Sequence, residues 1–163
     1  MYMKTTTLAL AISLLPAVAQ AQSNPAVDDM IYASVACAQG FGDLAAMDAA
    51  LVGAGWVKGE TVDGAIEYQA PNGSEETYAL IDAEAGETCN VWSATLGIAD
   101  AKTVALSVME KLQVKLEEAT TLTDAYGCDG LQLPSGVIVS AVSSDDPPLC
   151  DGGTGSQLIF ARE

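Results

Sequence analysis

Thr88-Cys89-Asn90-Val91-Trp92-Ser93-Ala94-Thr95-Leu96 is the stretch that decides the fold. It combines a cysteine, a large aromatic and several β-formers. Side chains alternate along a strand, so one face carries Cys89, Val91, Ser93 and Thr95. The other carries Thr88, Asn90, Trp92, Ala94 and Leu96. Neither set is plainly polar, and a strand without a polar face is central in its sheet or covered on both sides.

Gly97 ends this strand. The chain from Ile98 to Glu118 then shows Ile98, Ala101, Ala105, Val108, Leu112 and Leu116 at spacings of three and four. That period predicts one long amphipathic helix lying across the sheet. Asp100 near its start and Lys111 and Lys115 late in it suit the helix dipole.

Upstream, Ile66 and Tyr68 alternate with Glu67 and Gln69, Pro71-Asn72-Gly73-Ser74 marks a turn, and Thr77 to Asp82 reads as the next strand. A two-residue Asn72-Gly73 loop would pair Tyr68 with Thr77 and set Glu67 and Gln69 beside Tyr78 and Leu80. A longer loop that pairs Tyr68 with Tyr78 and Ile66 with Leu80 collects the apolar residues on one face. The expected register is therefore the second. The segment from Asp82 to Glu87 supplies the next hairpin connection.

Two helices are expected before this meander. Asn24-Pro25 opens the first, with a capping side chain and a proline where no N–H is needed. Asp28 and Asp29 fall in its first turn, Cys37 lies near its end, and Gly40 stops it. The second runs from about Asp43 to Val52, with Leu44, Met47 and Leu51 at helical spacing. After the long helix, Thr120 to Tyr126, Gly136 to Val142 and Ser156 to Ala161 read as strands. Gly127 to Gly130 and Ser143 to Gly155 read as loops. No internal repeat is visible. The fold class is α+β: two N-terminal helices, an antiparallel β-meander, one long helix packed on the sheet, further C-terminal strands and two disulfides.

Lys4, the uncharged run from Thr5 to Val18 and the small-x-small Ala19-Gln20-Ala21 have the form of a signal peptide. Residues 1–21 are expected to be removed and 22–163 to form a single domain, periplasmic or secreted, with no membrane insertion after cleavage. Removal takes one of six basic residues and none of 22 acidic ones, so the mature chain is more negative than the −16 of the full sequence. Such a surface repels nucleic acid and anionic headgroups, and it suits a basic partner such as another envelope protein.

In an exported chain, Cys37, Cys89, Cys128 and Cys150 read as two disulfides. Cys37–Cys89 and Cys128–Cys150 are favoured, because each pair then lies within one half of the chain. The absence of any Cys-x-x-Cys pair argues against a thiolate metal site.

The sequence contains no histidine. This excludes Ser-His-Asp and Cys-His catalysis and every histidine-ligated zinc site. Gly53-Ala54-Gly55 follows a helix and lacks the dinucleotide spacing. Asp145, Asp146 and Asp151, in one glycine-rich loop, are weak calcium candidates. Trp56, Tyr68, Tyr78 and Trp92 are candidates for a binding surface, since tyrosine and tryptophan are favoured at recognition sites. The expected function is a non-enzymatic exported interaction module without a cofactor. A periplasmic small-ligand or calcium-binding protein is the alternative, and a carboxylate-based hydrolase is a third.

Overall fold

The computed structural model describes residues 24–71 and 76–162. The expected signal peptide and the Asn72-Gly73 turn lie outside them. Three helices and eight strands follow in the order α1 (Pro25–Gln39), α2 (Leu44–Gly53), β1 (Val57–Val62), β2 (Ala65–Gln69), β3 (Thr77–Asp82), β4 (Cys89–Ser93), α3 (Ile98–Lys111), β5 (Thr120–Thr123), β6 (Asp129–Gln132), β7 (Ile138–Ser143) and β8 (Ser156–Ala161). The strands form one antiparallel sheet, ordered β1-β2-β3-β4-β8-β7-β6-β5. The class is α+β, as the sequence pattern predicts, with both favoured disulfides present.

This order contains a repetition that the sequence does not show. A helical segment followed by a four-stranded meander occurs twice, and the two meanders join through their last strands, β4 and β8. Equivalent first strands, β1 and β5, form the two edges. The helical layer lies on one face. α1 sits over β3, β4 and β8, α3 sits over β7 and β8, and the two helices pack on each other.

The local chemistry explains the helix ends. Asn24 accepts a hydrogen bond from the Ala26 N–H at 3.1 Å, and Pro25 occupies the first turn. Asp43 caps α2 by accepting from the Ala46 N–H at 3.0 Å. α3 stops at Lys111, seven residues short of the expected Glu118. Gln113 takes a left-handed conformation with φ of 59°, its N–H bonds the Glu110 carbonyl, and the Val114 N–H reaches back to Met109. That is a Schellman ending built on glutamine, so no glycine announces it. A short 3-10 turn at Leu116–Glu118 then leads into β5, and Leu116, expected on the buried helix face, is 60% exposed.

β4 is central, flanked by β3 and β8. Cys89, Val91 and Ser93 are fully buried under the helices, whereas Asn90 and Trp92 are half-buried on the opposite face. Register differs from the expectation for β2 and β3. Tyr68 faces Ala79, Ile66 faces Ile81, and Gln69 faces Tyr78. The residues gathered on the helix face are therefore Ile66, Tyr68, Ala79 and Ile81, all buried, while Tyr78 and Leu80 share the other face with Glu67. Buried volume under α1 favours small Ala79 and branched Ile81, so counting Tyr78 and Leu80 as core residues assigns the wrong parity. The β1–β2 hairpin closes on Asp63-Gly64, both at positive φ, the two-residue turn that Asp-Gly favours.

β6 occupies Asp129–Gln132, part of which reads as loop from sequence. Asp and Gly disfavour strands, yet Gly130 is required here. A Cβ at this position would lie 2.7 Å from Ser140 Oγ on β7. Gly130 pairs with Ser140, and continuing that register puts Cys128 opposite Val142 on the helix-free face. Its disulfide brings Cys150, and with it the loop that follows β7, over that face. This accounts for β7 being buried on both sides.

The core lies between helices and sheet. Met30, Ala33 and Cys37 from α1 and Ala101, Val104 and Val108 from α3 meet Tyr68, Val91, Leu158 and Phe160. At one end of this layer Thr77, Ser93, Ser156 and Ser143 form a cross-strand row of fully buried hydroxyls. Two of them organise loops. Ser93 Oγ accepts from the Leu96 N–H, and Ser143 Oγ accepts from the Leu149 N–H at 2.9 Å.

Candidate interaction surface on the helix-free sheet face

The four aromatic candidates divide between core and surface. Trp56 is 3% exposed and Tyr68 is fully buried, so neither lines a recognition surface. Trp56 follows the turn that ends α2, its N–H bonded to the Leu51 carbonyl. Tyr68 donates its hydroxyl to Asp48 Oδ1 at 2.7 Å, and Lys58 Nζ meets the same oxygen at 2.7 Å while lying 5.8 Å from the Tyr68 ring centre. The lysine hydrogen bond, followed by that of the tyrosine, holds the Asp48 carboxyl below the usual carboxylate range. Burial, reinforced by Asp48, pushes the Tyr68 hydroxyl above its ordinary value. This trio ties α2 to β1 and β2. It is a brace, with Tyr68 closed off from solvent.

Tyr78 and Trp92 are brought together. They are direct cross-strand neighbours on β3 and β4, and strand alternation points both away from the helices. Their rings stack with centroids 5.7 Å apart and planes 9° from parallel. Both are half-buried. Gln69 extends the row on the Tyr78 side and Gln157 on the Trp92 side. The adjacent row holds Glu67, Leu80, Asn90 and Ile159. Burial, and then the charge of Glu67, raises the Tyr78 hydroxyl above its ordinary value.

Polar atoms lie beneath this pair. Gln157 is 2% exposed and donates its Nε2 to the Ser143 carbonyl at 3.1 Å, which fixes the amide. Its Oε1, Asn90 Oδ1 and Trp92 Nε1 are buried without a protein partner. The face therefore presents an apolar aromatic platform, and these three polar atoms are closed off from solvent within it. Gln157 and Asn90 escape a search for chemical motifs. Their signal is the strand period itself, which sets both on the face of Trp92 once β8 is placed beside β4.

The acidic candidates are dispersed. Asp151 is exposed and lies 3.4 Å from Lys102 Nζ, while the Asp145 N–H donates to Ser143 Oγ. Among the described residues no three acids or cysteines are placed to hold a metal ion. Asp82, in the other acidic loop, uses its carboxylate to accept from the Glu84 and Ala85 N–H groups. These hold it below the usual range and make it a turn cap.

No described helix is long and apolar enough to cross a membrane. The two disulfides point to an oxidising, non-cytoplasmic compartment. No protein-family model, curated protein or solved structure matches the chain.

Proposed function

We propose that the chain is a non-enzymatic interaction module of the periplasm or extracellular space, which docks a basic protein partner on the helix-free face of its sheet. The carrying observation is the stacked, half-exposed Tyr78–Trp92 pair on a face that no helix covers. Rigid aromatics lose little conformational freedom on binding and anchor interfaces. Glu67 beside Tyr78, and the −16 net charge, favour a partner with a basic rim. The sequence has no histidine, and all four cysteines are engaged in disulfides, which fits a binding role better than acid–base or thiol chemistry.

The test is capture of envelope proteins on the immobilised chain, compared with a Tyr78→Ala/Trp92→Ala variant of intact fold. A basic partner should be retained at low salt, released at about 1 M salt, where the Debye length is about 3 Å, and bound at least about tenfold more weakly by the variant. Equal capture by both proteins, or none at either salt, refutes the reading.

A further inference from the structure

The two edges of the sheet are topologically equivalent but chemically unlike. β1 is guarded. It carries Lys58 and Glu60 and a bulge between Lys58 and Thr61, devices that discourage a further strand from pairing. β5 is Thr120-Thr121-Leu122-Thr123, an uncharged run with three β-branched threonines and no bulge or proline, and it pairs with β6 alone. Ala119 before it is already extended.

The helical layer does not reach this edge. α3 packs on β7 and β8, which leaves a cavity of about 280 Å³ between Leu106 of α3 and Thr121, Leu131 and Val139 of the sheet. A second cavity of about 320 Å³ adjoins it, lined by Leu106, Met109, Val114 and Leu116. Leu106 is 52% exposed and Leu116 is 60% exposed. An unpaired strand edge thus runs beside an uncovered apolar strip.

Charge selects what covers it. Of the five lysines and arginines among the described residues, Lys102, Lys111 and Lys115 lie on or just after α3, interspersed with Glu110, Glu117, Glu118, Asp124 and Asp129. In an otherwise acidic protein this region carries both signs, and a surface that docks on its own copy needs both.

We propose that β5 is a self-pairing edge, through which two copies of the chain join antiparallel about a two-fold axis to make one continuous sheet. Keeping both helical layers on one side fixes the parity of the pairing. Centring the two-fold axis on Leu122 sets Thr121 opposite Thr123 of the second copy and Leu122 opposite its own counterpart on the helix-free side. Asp124, just after β5, of the second copy then falls opposite Thr120. Leu106 and Leu116 of each copy border the joint and are shielded by it. Because Glu117 and Glu118 also lie there and each chain is strongly acidic, added salt strengthens the association.

Sedimentation velocity on the purified, oxidised chain over a range of concentrations tests this. Monomer and dimer should exchange, with the dimer favoured in about 1 M salt, where screening acts within about 3 Å. Thr121→Glu/Thr123→Glu replaces two exposed side chains and brings four carboxylates together, so it should raise the dimer dissociation constant at least about tenfold while leaving unchanged the melting temperature measured where both proteins are monomeric. Leu122→Cys should form a covalent dimer on mild oxidation, and Val62→Cys on the β1 edge should not. A monomer at every concentration and salt overturns the proposal, including one that binds a strand of another protein through β5. So does a dimer indifferent to the β5 carboxylates, or one cross-linked through Val62→Cys instead of Leu122→Cys.

Discussion

The two halves of the molecule share a topology and differ in how they are held. In the first, Cys37 of α1 is bonded to Cys89 of β4, so the disulfide joins the helical layer to the centre of the sheet through the core. In the second, Cys128 and Cys150 join the start of β6 to the loop between β7 and β8, and no disulfide ties α3 to the sheet. The first meander ends in a guarded edge, braced by Asp48, Lys58 and Tyr68. The second ends in an open one. A repeated architecture therefore leaves stability and exposure free to be distributed separately: the first half fixes the fold, and the second leaves surface available.

Removing each staple breaks this contrast most directly. Cys37→Ala/Cys89→Ala opens a link spanning 52 residues and should cost about 4 kcal/mol, against about 3 kcal/mol for Cys128→Ala/Cys150→Ala, which spans 22. Urea titration of both variants checks the order, and a larger loss from the second pair would reverse the assignment of the halves. Next in size is Gly86→Ala. Gly86 has φ of 65°, and a Cβ there would lie 2.6 Å from Met47 Cε and 3.0 Å from Leu44 N. The loop before β4 presses against α2 at this point, and the substitution should cost about 2 kcal/mol in the same titration.

The smallest effect sharpens the brace. Tyr68→Phe should cost about 1 kcal/mol at neutral pH, since Asp48 keeps Lys58. It should also change the pH profile. The folded state holds the Tyr68 proton to higher pH than the unfolded chain does. The Tyr68 contribution is therefore level up to about pH 10 and falls above it, with a slope of up to about 1.4 kcal/mol per pH unit, and the variant should lose that part of the alkaline slope while keeping the part that Tyr78 supplies. Asp48 acts in the opposite direction. Its folded pKa is lowered, so its contribution is present at neutral pH and is lost as pH falls through and below the ordinary carboxylate range. Chemical denaturation from pH 2 to 12 reads both limbs, and an alkaline limb unchanged in the variant would assign it to another group.

What was legible in the sequence was local. Asn24-Pro25, Asp43 and Gly40 mark helix ends because capping is satisfied within a few residues, and the cysteine pairing follows from grouping the four by halves. The order β4-β8 was not legible, because it joins strands that are far apart in the chain. The end of α3 was hidden because Gln113 takes a conformation usually given to glycine. β6 was hidden because Gly130 is chosen for room against Ser140 and not for strand propensity. The sequence did not divide the aromatic set. Tyr78 and Trp92 are half-buried on the helix-free face while Trp56 and Tyr68 are buried, and whether Tyr68 and Tyr78 share a face depended on a register whose parity only the packing under α1 decides.

β8 is the last described strand in chain order, yet it stands fifth from the guarded edge and fourth from the open one, inserted between β4 and β7. Until it arrives, β4 is a bare edge that carries Trp92, and the two meanders have no seam. Synthesis from the N-terminus therefore gives a first meander that has all four of its strands, with an unpaired β4 edge until residues 156–161 have followed. Chain order and strand order run against each other. The first half, already able to form Cys37–Cys89, is complete in itself before the seam that joins it to the second can form.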